Sequence, residues 1–139
     1  MSNTAGQINL VPSTAIVGAT TFYVGDFRFN AAFPKVLTMH AKFVYVADAA
    51  TSCKAWIQTS LDDGATWIDV ACFAFTTATA NKVAQVGNFA STAVIVPTDG
   101  TLADNTVVGG ILGPRLRVKV VTVGTYGVGT SLQIIGLVR

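Results

Sequence analysis

The sequence predicts an all-β protein, an antiparallel β-sandwich of jelly-roll-like architecture with about eight strands. Three observations carry that expectation. The first is residue choice: 19 Val and 18 Thr stand against no Glu and five Lys, and all seven acids are Asp. β-Branched side chains lose rotamer freedom in a helix and fit a pleated surface, while the straight-chain helix formers are scarce. The second is spacing, because short apolar runs recur at fairly even intervals between clusters of Gly, Pro, Asn and Asp. The third is what the pattern lacks: no βαβ spacing, no internal repeat and no linker divides the chain.

Taken in order, residues 1–13 are polar apart from Ile8–Val11 and read as an N-terminal arm or first edge strand. Residues 14–139 then form the single sandwich domain, long enough to bury a core. Thr20–Phe29 is a strand whose apolar positions are Phe22, Val24, Phe27 and Phe29. Asn30–Pro34 breaks it. Val36–Val46 is a long second strand, and Asp48–Ser52 a turn. Lys54–Ser60 and Thr66–Phe75 form a hairpin about Asp63-Gly64, since Asp-Gly supplies the positive φ that tight turns need. Lys82–Val86 and Thr92–Val96 are shorter strands separated by Gly87-Asn88. Arg115–Val123 alternates cleanly, with Leu116, Val118 and Val120 on one face and Arg115, Arg117 and Lys119 on the other. A glycine-rich turn at Gly124–Gly129 leads to the last strand, Ser131–Val138. Pro97–Pro114 fits no strand. Either it is a functional loop, or it makes a short helical turn near Leu102–Asn105 and packs along the sandwich edge.

Composition bounds the function. Hydrophobic residues make up 51% and charged residues 12%, about half the usual charged share, and mean hydropathy is +0.55. The apolar runs, such as Phe43–Ala47 and Val94–Val96, are far too short to cross a bilayer. The first seven residues hold no basic segment followed by an apolar one, so no secretory signal and no membrane partner are expected. A net charge of +2 makes nucleic acid an unlikely partner. What is left is apolar surface covered by protein.

The residues capable of chemistry are few. Ser60-Leu-Asp-Asp-Gly-Ala-Thr-Trp67 is similar to the Asp-box, a hairpin motif of sialidase propellers and of many unrelated β proteins. Asp62, Asp63, Gly64 and Trp67 read as structural turn residues: a carboxylate accepts turn N–H groups, glycine takes the left-handed position and tryptophan covers the hairpin base. His40 is the only histidine and reads as structural. Asp62/Asp63 and Asp99/Asp104 lack EF-hand spacing. Hydrolase elbows, phosphate loops and zinc-protease motifs are absent, so no enzyme, catalytic residue, cofactor or metal is expected. Pairing about Asp63-Gly64 sets Cys53 opposite Ala74 and Cys72 opposite Ala55, making the sulfurs diagonal neighbours. Both are read as buried thiols, a disulfide needing a shifted register. The Arg115/Arg117/Lys119 stripe reads as a solvated face that blocks edge aggregation, or more sharply as a docking face for an acidic partner. Tyr126, in its glycine-rich loop, is the aromatic expected to be exposed.

Two stretches carry a resemblance. Ala55–Phe75, with Trp-Ile-Gln-Thr-Ser before the Asp-Gly turn, and Pro97–Val120, with Arg-Leu-Arg-Val, resemble small virion structural proteins of tailed bacteriophages, over about half the chain. That resemblance implies a capsid-decorating or cement protein of the virion. It would be a homo-oligomer, with a trimer favoured, bound to the major capsid protein. Head–tail connector, tail or collar components share the class. A carbohydrate-binding sandwich on the virion is the alternative from another class; its candidate aromatics are Trp56, Trp67, Tyr23, Tyr45 and Tyr126, and all but Tyr126 fall in or beside strands.

Overall fold

The computed structural model of the chain describes residues 6–29, 35–87 and 94–139. Its eight strands are β1 (Gln7–Ala15), β2 (Thr20–Arg28), β3 (Val36–Val44), β4 (Ala50–Ser60), β5 (Ile68–Phe75), β6 (Ala80–Gly87), β7 (Arg115–Gly124) and β8 (Ser131–Val138). No helix is long and apolar enough to cross a membrane.

Pairing starts from the Asp63-Gly64 turn, where β4 meets β5, and continues outward: β3 with β6, β2 with β7, β1 with β8, all antiparallel. The chain is thus one long two-stranded ribbon centred on the hairpin. Rolling that ribbon brings β8 beside β3 and β7 beside β4, closing two sheets in the orders β1-β8-β3-β6 and β2-β7-β4-β5. Nested pairing closed into two four-stranded sheets is the jelly roll.

Alternation fills the space between the sheets. Leu37, Met39, Ala41 and Phe43 of β3, Leu132 and Ile134 of β8, and Leu116, Val118 and Val120 of β7 all point inward and are at most 1% exposed. Phe43 stacks on Phe75 at 4.8 Å and meets Tyr126 edge-on at 5.8 Å. These rings plug one end of the core.

Several expectations change. Of the arm and the edge strand expected for residues 1–13, the edge strand is present and runs on to Ala15, while residues 1–5 lie outside the described residues. The turn at Asp48–Ser52 is shorter than expected, because β4 begins at Ala50 and pairs there with Gly124. Thr92–Val96 is not a strand where it is described: Val94 and Val96 are 98% and 78% exposed and have no strand partner among the described residues. The neighbouring edge of β5 is taken by the segment that follows. Asn30–Pro34 and Asn88 lie outside the described residues.

The hairpin register also shifts. Near the turn, Thr59 faces Ile68 and Gln58 faces Asp69, as turn counting predicts, but Ile57 faces Ala71. Val70 is the extra residue of a β-bulge, and beyond it Cys53 faces Phe75 and Cys72 faces Trp56. The two thiols are therefore not diagonal neighbours. Cys53 lies in the main core, whereas Cys72 packs with Trp56 and Ala74 on the other side of the sheet, and both are free and buried.

Candidate interaction surfaces

β7 alternation turns Arg115, Arg117 and Lys119 to the outer face of the β2-β7-β4-β5 sheet, where each meets a carboxylate. Arg115 Nη2 donates to both oxygens of Asp26 at 2.8 Å, and its Nη1 donates to the Asp63 carbonyl. Arg117 Nε donates to Gln58 Oε1 at 2.7 Å, and its Nη2 lies 3.5 Å from Asp99 Oδ1. Its guanidinium covers the rings of Trp67 at 4.1 Å and Tyr23 at 4.5 Å. Lys119 Nζ donates to the Asp99 carbonyl at 3.0 Å. The three side chains are only 13%, 19% and 17% exposed. The expected solvated stripe is instead a compensated ladder of alternating charge. A hydrogen bond from Arg115 lowers the Asp26 carboxyl below its usual range, and one from Gln58, with Lys119 and Arg117 nearby, does the same for Asp99.

The hairpin tip continues this ladder. Asp62 Oδ1 accepts the Thr66 N–H at 2.7 Å and the Ser60 hydroxyl at 2.9 Å, while Gly64 N–H donates to Ser60 Oγ at 2.8 Å. The Thr66 bonds hold the Asp62 carboxyl below its usual range. Asp63 and Gly64 both take positive φ, 57° and 90°. Trp67 lies under Arg115 and Arg117 and caps the base of the turn.

Residues 97–114 seal the free edge of β5. Asp69 N–H donates to the Thr98 carbonyl, Cys72 N–H to Thr106 and Val108 N–H to Val70, with a bridge between Ala71 and Val107. The Asp69 carboxylate, 2% exposed, anchors the segment. It accepts from Thr98 Oγ1, from the N–H groups of Gly100, Thr101 and Leu102, and from the Gln58 amide. Trp56 Nε1 donates to the Leu102 carbonyl at 3.0 Å. Of the expected helical turn with edge packing, the packing along the edge is observed. The helical turn is not: a simple turn at Asp104-Asn105 replaces it, with Asn105 at φ 54°.

The outer face of the β1-β8-β3-β6 sheet is different. Lys42 is the one formally charged residue that strand alternation places there. Val83, Val44 and Leu137 are 69%, 46% and 42% exposed. A shallow depression of about 270 Å³ is lined by Thr38, His40, Val83, Ile135 and Leu137 among others. Two shielded oxygens on this face, Asn9 Oδ1 and Thr38 Oγ1, have no hydrogen-bond partner among the described residues. His40 stands in this apolar setting, and among the described residues no three of His, Cys, Asp or Glu converge as metal ligands.

Tyr126 contradicts its expected exposure. It is 2% exposed, packs against Phe43 and Tyr45, and donates its hydroxyl to the Thr76 carbonyl at 3.1 Å. Burial pushes its phenol up to about 12. The flanking glycines serve close approach rather than openness: a Cβ on Gly127 would lie 2.7 Å from the Ala47 carbonyl. Among the described residues the exposed aromatic is Tyr23, at 52%, which the sequence placed in a strand without marking its outward face. A scan against protein-family models gave no match, and searches of the curated proteins and of the solved structures likewise returned none.

Proposed function

We propose that this chain is a bacteriophage structural protein that decorates and stabilises a capsid, working as an oligomer against copies of itself and the major capsid protein. The observation that carries the reading is the charge-poor outer face of the β1-β8-β3-β6 sheet, with Val83, Val44 and Leu137 open to solvent. Four strands about 4.8 Å apart and eight residues long span roughly 500 Å² in projection. That is below the about 800 Å² per partner of a standard interface, so such a face holds best when many copies share a lattice. The jelly-roll strand order adds weight by analogy alone, since capsid proteins, lectins and cupins all use it.

A glycan-binding role is less well supported. Sugar stacking needs several open aromatic faces, and among the described residues Tyr23 alone is exposed, with Arg117 over one side of its ring.

The test is sedimentation of the purified protein alone and with capsids from the same source. The expected result is an oligomer that binds at a fixed copy number per capsid and raises the capsid melting temperature. A monomer that ignores capsids and binds a glycan array refutes the reading.

A further inference from the structure

Two four-stranded sheets have four edge strands, and three of them are blunted here. β1 carries Pro12 and two register shifts against β8. β2 shifts register against β7 between Val24 and Phe27, with Gly25 at φ 69°, and carries Asp26 and Arg28. β5 is covered by residues 97–114. Bulges, proline, charge and covering loops are the devices that keep an edge from pairing with another chain. β6 lacks the bulge, the proline and the cover, and pairs with β3 over eight residues without a shift. Its one charged side chain, Lys82, is drawn back to the Ala74 carbonyl and to Asn105 Oδ1 at 2.9 Å. Val36 and Arg139 exchange N–H to carbonyl bonds at 2.9 Å, which turns Val36 towards β8 and so Leu37, Met39, Ala41 and Phe43 towards β6. These bond Val86, Ala84, Lys82 and Ala80, and the N–H and C=O groups of Asn81, Val83, Gln85 and Gly87 therefore point away from the sheet. The Gly87 carbonyl agrees, accepting from Gly110 N–H at 3.0 Å. The main-chain groups of Asn81, Val83 and Gln85 have no partner among the described residues, and their side chains are exposed.

We propose that β6 pairs antiparallel with β6 of a second copy about a two-fold axis at Val83, joining the two β1-β8-β3-β6 sheets into one. The inference rests on the reading of the chain as a self-associating shell component and assigns the self-contact to an edge. The unpaired groups name the chemistry of the occupant, because an extended backbone presents donors and acceptors at the spacing of a strand. The sequence of β6 selects a second copy. With Val83 opposite itself, Asn81 faces Gln85 of the second copy and Gln85 faces its Asn81. Each of these pairs exchanges two bonds, so every outward N–H and C=O from Asn81 to Gln85 is used. On the outer face the two valines form a β-branched cross-strand pair, and the side-chain amides meet one another. Lys82 falls opposite Ala84 rather than a second Lys82, so like charges are not set face to face. Beside the edge a cleft of about 400 Å³, lined by Phe73, Lys82, Ala84, Asn105 and Val107 among others, leaves room for the inner-facing side chains of the second copy. Such a contact draws its affinity from main-chain bonds rather than area. Its two-fold symmetry closes it at two copies, because both outer edges of the joined sheet are the blunted β1.

The Val83→Pro substitution tests this, because it deletes an N–H that points away from β3 and leaves the β3 pairing whole. Sedimentation equilibrium compares the wild type, Val83→Pro and Val83→Thr over a concentration series, with circular dichroism to check the fold and capsid pelleting alongside. The proposal expects a self-associating wild type and a Val83→Pro variant whose dissociation constant rises more than about tenfold. Val83→Thr keeps the N–H and the branched side chain, so it still associates. Residue-resolved hydrogen exchange of the wild type gives a second readout that needs no variant. The Asn81, Val83 and Gln85 amides should be protected at high concentration and lose that protection on dilution. Amides that exchange equally fast at both concentrations, or a Val83→Pro variant that associates like the wild type, overturn the edge pairing and leave the shell reading standing. Loss of association in Val83→Thr as well as Val83→Pro overturns it too, and moves the contact to the sheet face. A monomeric wild type that binds capsids overturns the second-copy assignment; if Val83→Pro alone then loses the capsids, the edge takes a capsid-protein strand. A monomer that binds neither itself nor capsids ends both readings.

Discussion

Replacing Asp69 with Asn tests whether one buried carboxylate holds the 97–114 segment over β5. One oxygen, Oδ2, accepts from Thr98 Oγ1 at 2.7 Å, Gly100 N–H at 2.8 Å, Thr101 N–H at 3.0 Å and Leu102 N–H at 3.2 Å. The other, Oδ1, accepts from Gln58 Nε2 at 2.8 Å. Asparagine has the same shape but only one acceptor, so its NH₂ must face donors on one side or the other. Gln58 has a second acceptor in Asp99 at 2.8 Å, so the amide group turns towards Gln58 and the loop keeps its oxygen. What is lost is the charge on four hydrogen bonds and one bond outright. Bonds to charged groups contribute about 1.5–3 kcal/mol each and neutral ones about 1, a gross loss of several kcal/mol; no longer burying a charge offsets much of it, leaving a net loss of about 2–4 kcal/mol. For a domain of this size that lowers the melting temperature by about 10 °C. Hydrogen exchange should speed up first at the Cys72 amide, which bonds Thr106, and Trp56 emission should shift red as its bond to Leu102 loosens. An Asp69→Asn protein that melts within about 2 °C of wild type, with Cys72 still protected, would refute the anchoring role.

Asp63→Pro should destabilise the hairpin by at least about 2 kcal/mol, because proline cannot adopt φ 57°; an unchanged urea midpoint would show that the turn is misplaced. Asp26, Asp62 and Asp99 all have lowered carboxyl pKa values in the fold, so the stability they add is present above the unfolded value of about 3.9 and is lost as pH falls through and below it. Thermal melts should therefore be level from about pH 7 to 5 and decline below about pH 4, less steeply in Asp26→Asn; the decline is modest because these carboxylates stand at the surface. Burial pushes the thiols up to about 12 at Cys53 and about 11 at Cys72, so Ellman's reagent at about pH 8 should label neither in the native protein and both in guanidinium.

The strand set was legible because Val and Thr mark sheet and Asp-Gly marks the centre of the ribbon. Pairing next to the turn followed from counting, as Thr59 opposite Ile68 shows. The bulge at Val70 was not legible. Ile68–Phe75 is buried on both faces, so it has no polar alternation in which an extra residue would break the rhythm. The compensated ladder was hidden for another reason. Arg115 and Asp26 are 89 residues apart, and only the β2–β7 pairing brings their strands together. Tyr126 misled because glycine was read as a sign of openness, when here it permits backbone crowding. The anchoring role of Asp69 left no signal, since a lone Asp in an apolar run says nothing of the five donors that the bulge and the loop bring to it.

The nested pairing gives the two ends of this molecule different work. At the hairpin end, turn geometry needs Asp and Gly, and the neighbouring strands supply Arg28 and Arg115, which pair with Asp26 and Asp63. At the opposite end, the connections 16–19, 45–49, 76–79 and 125–130 hydrogen-bond to one another and need no ionic side chains for support. Local folding demands alone account for charge at the first end. They do not account for Val128, which is 99% exposed and contributes nothing to the fold's own core. An isolated domain would be no less stable with a polar residue there. Together with Val17 and Val46 it forms the apolar part of that end, as Val83, Val44 and Leu137 do on the β1-β8-β3-β6 sheet.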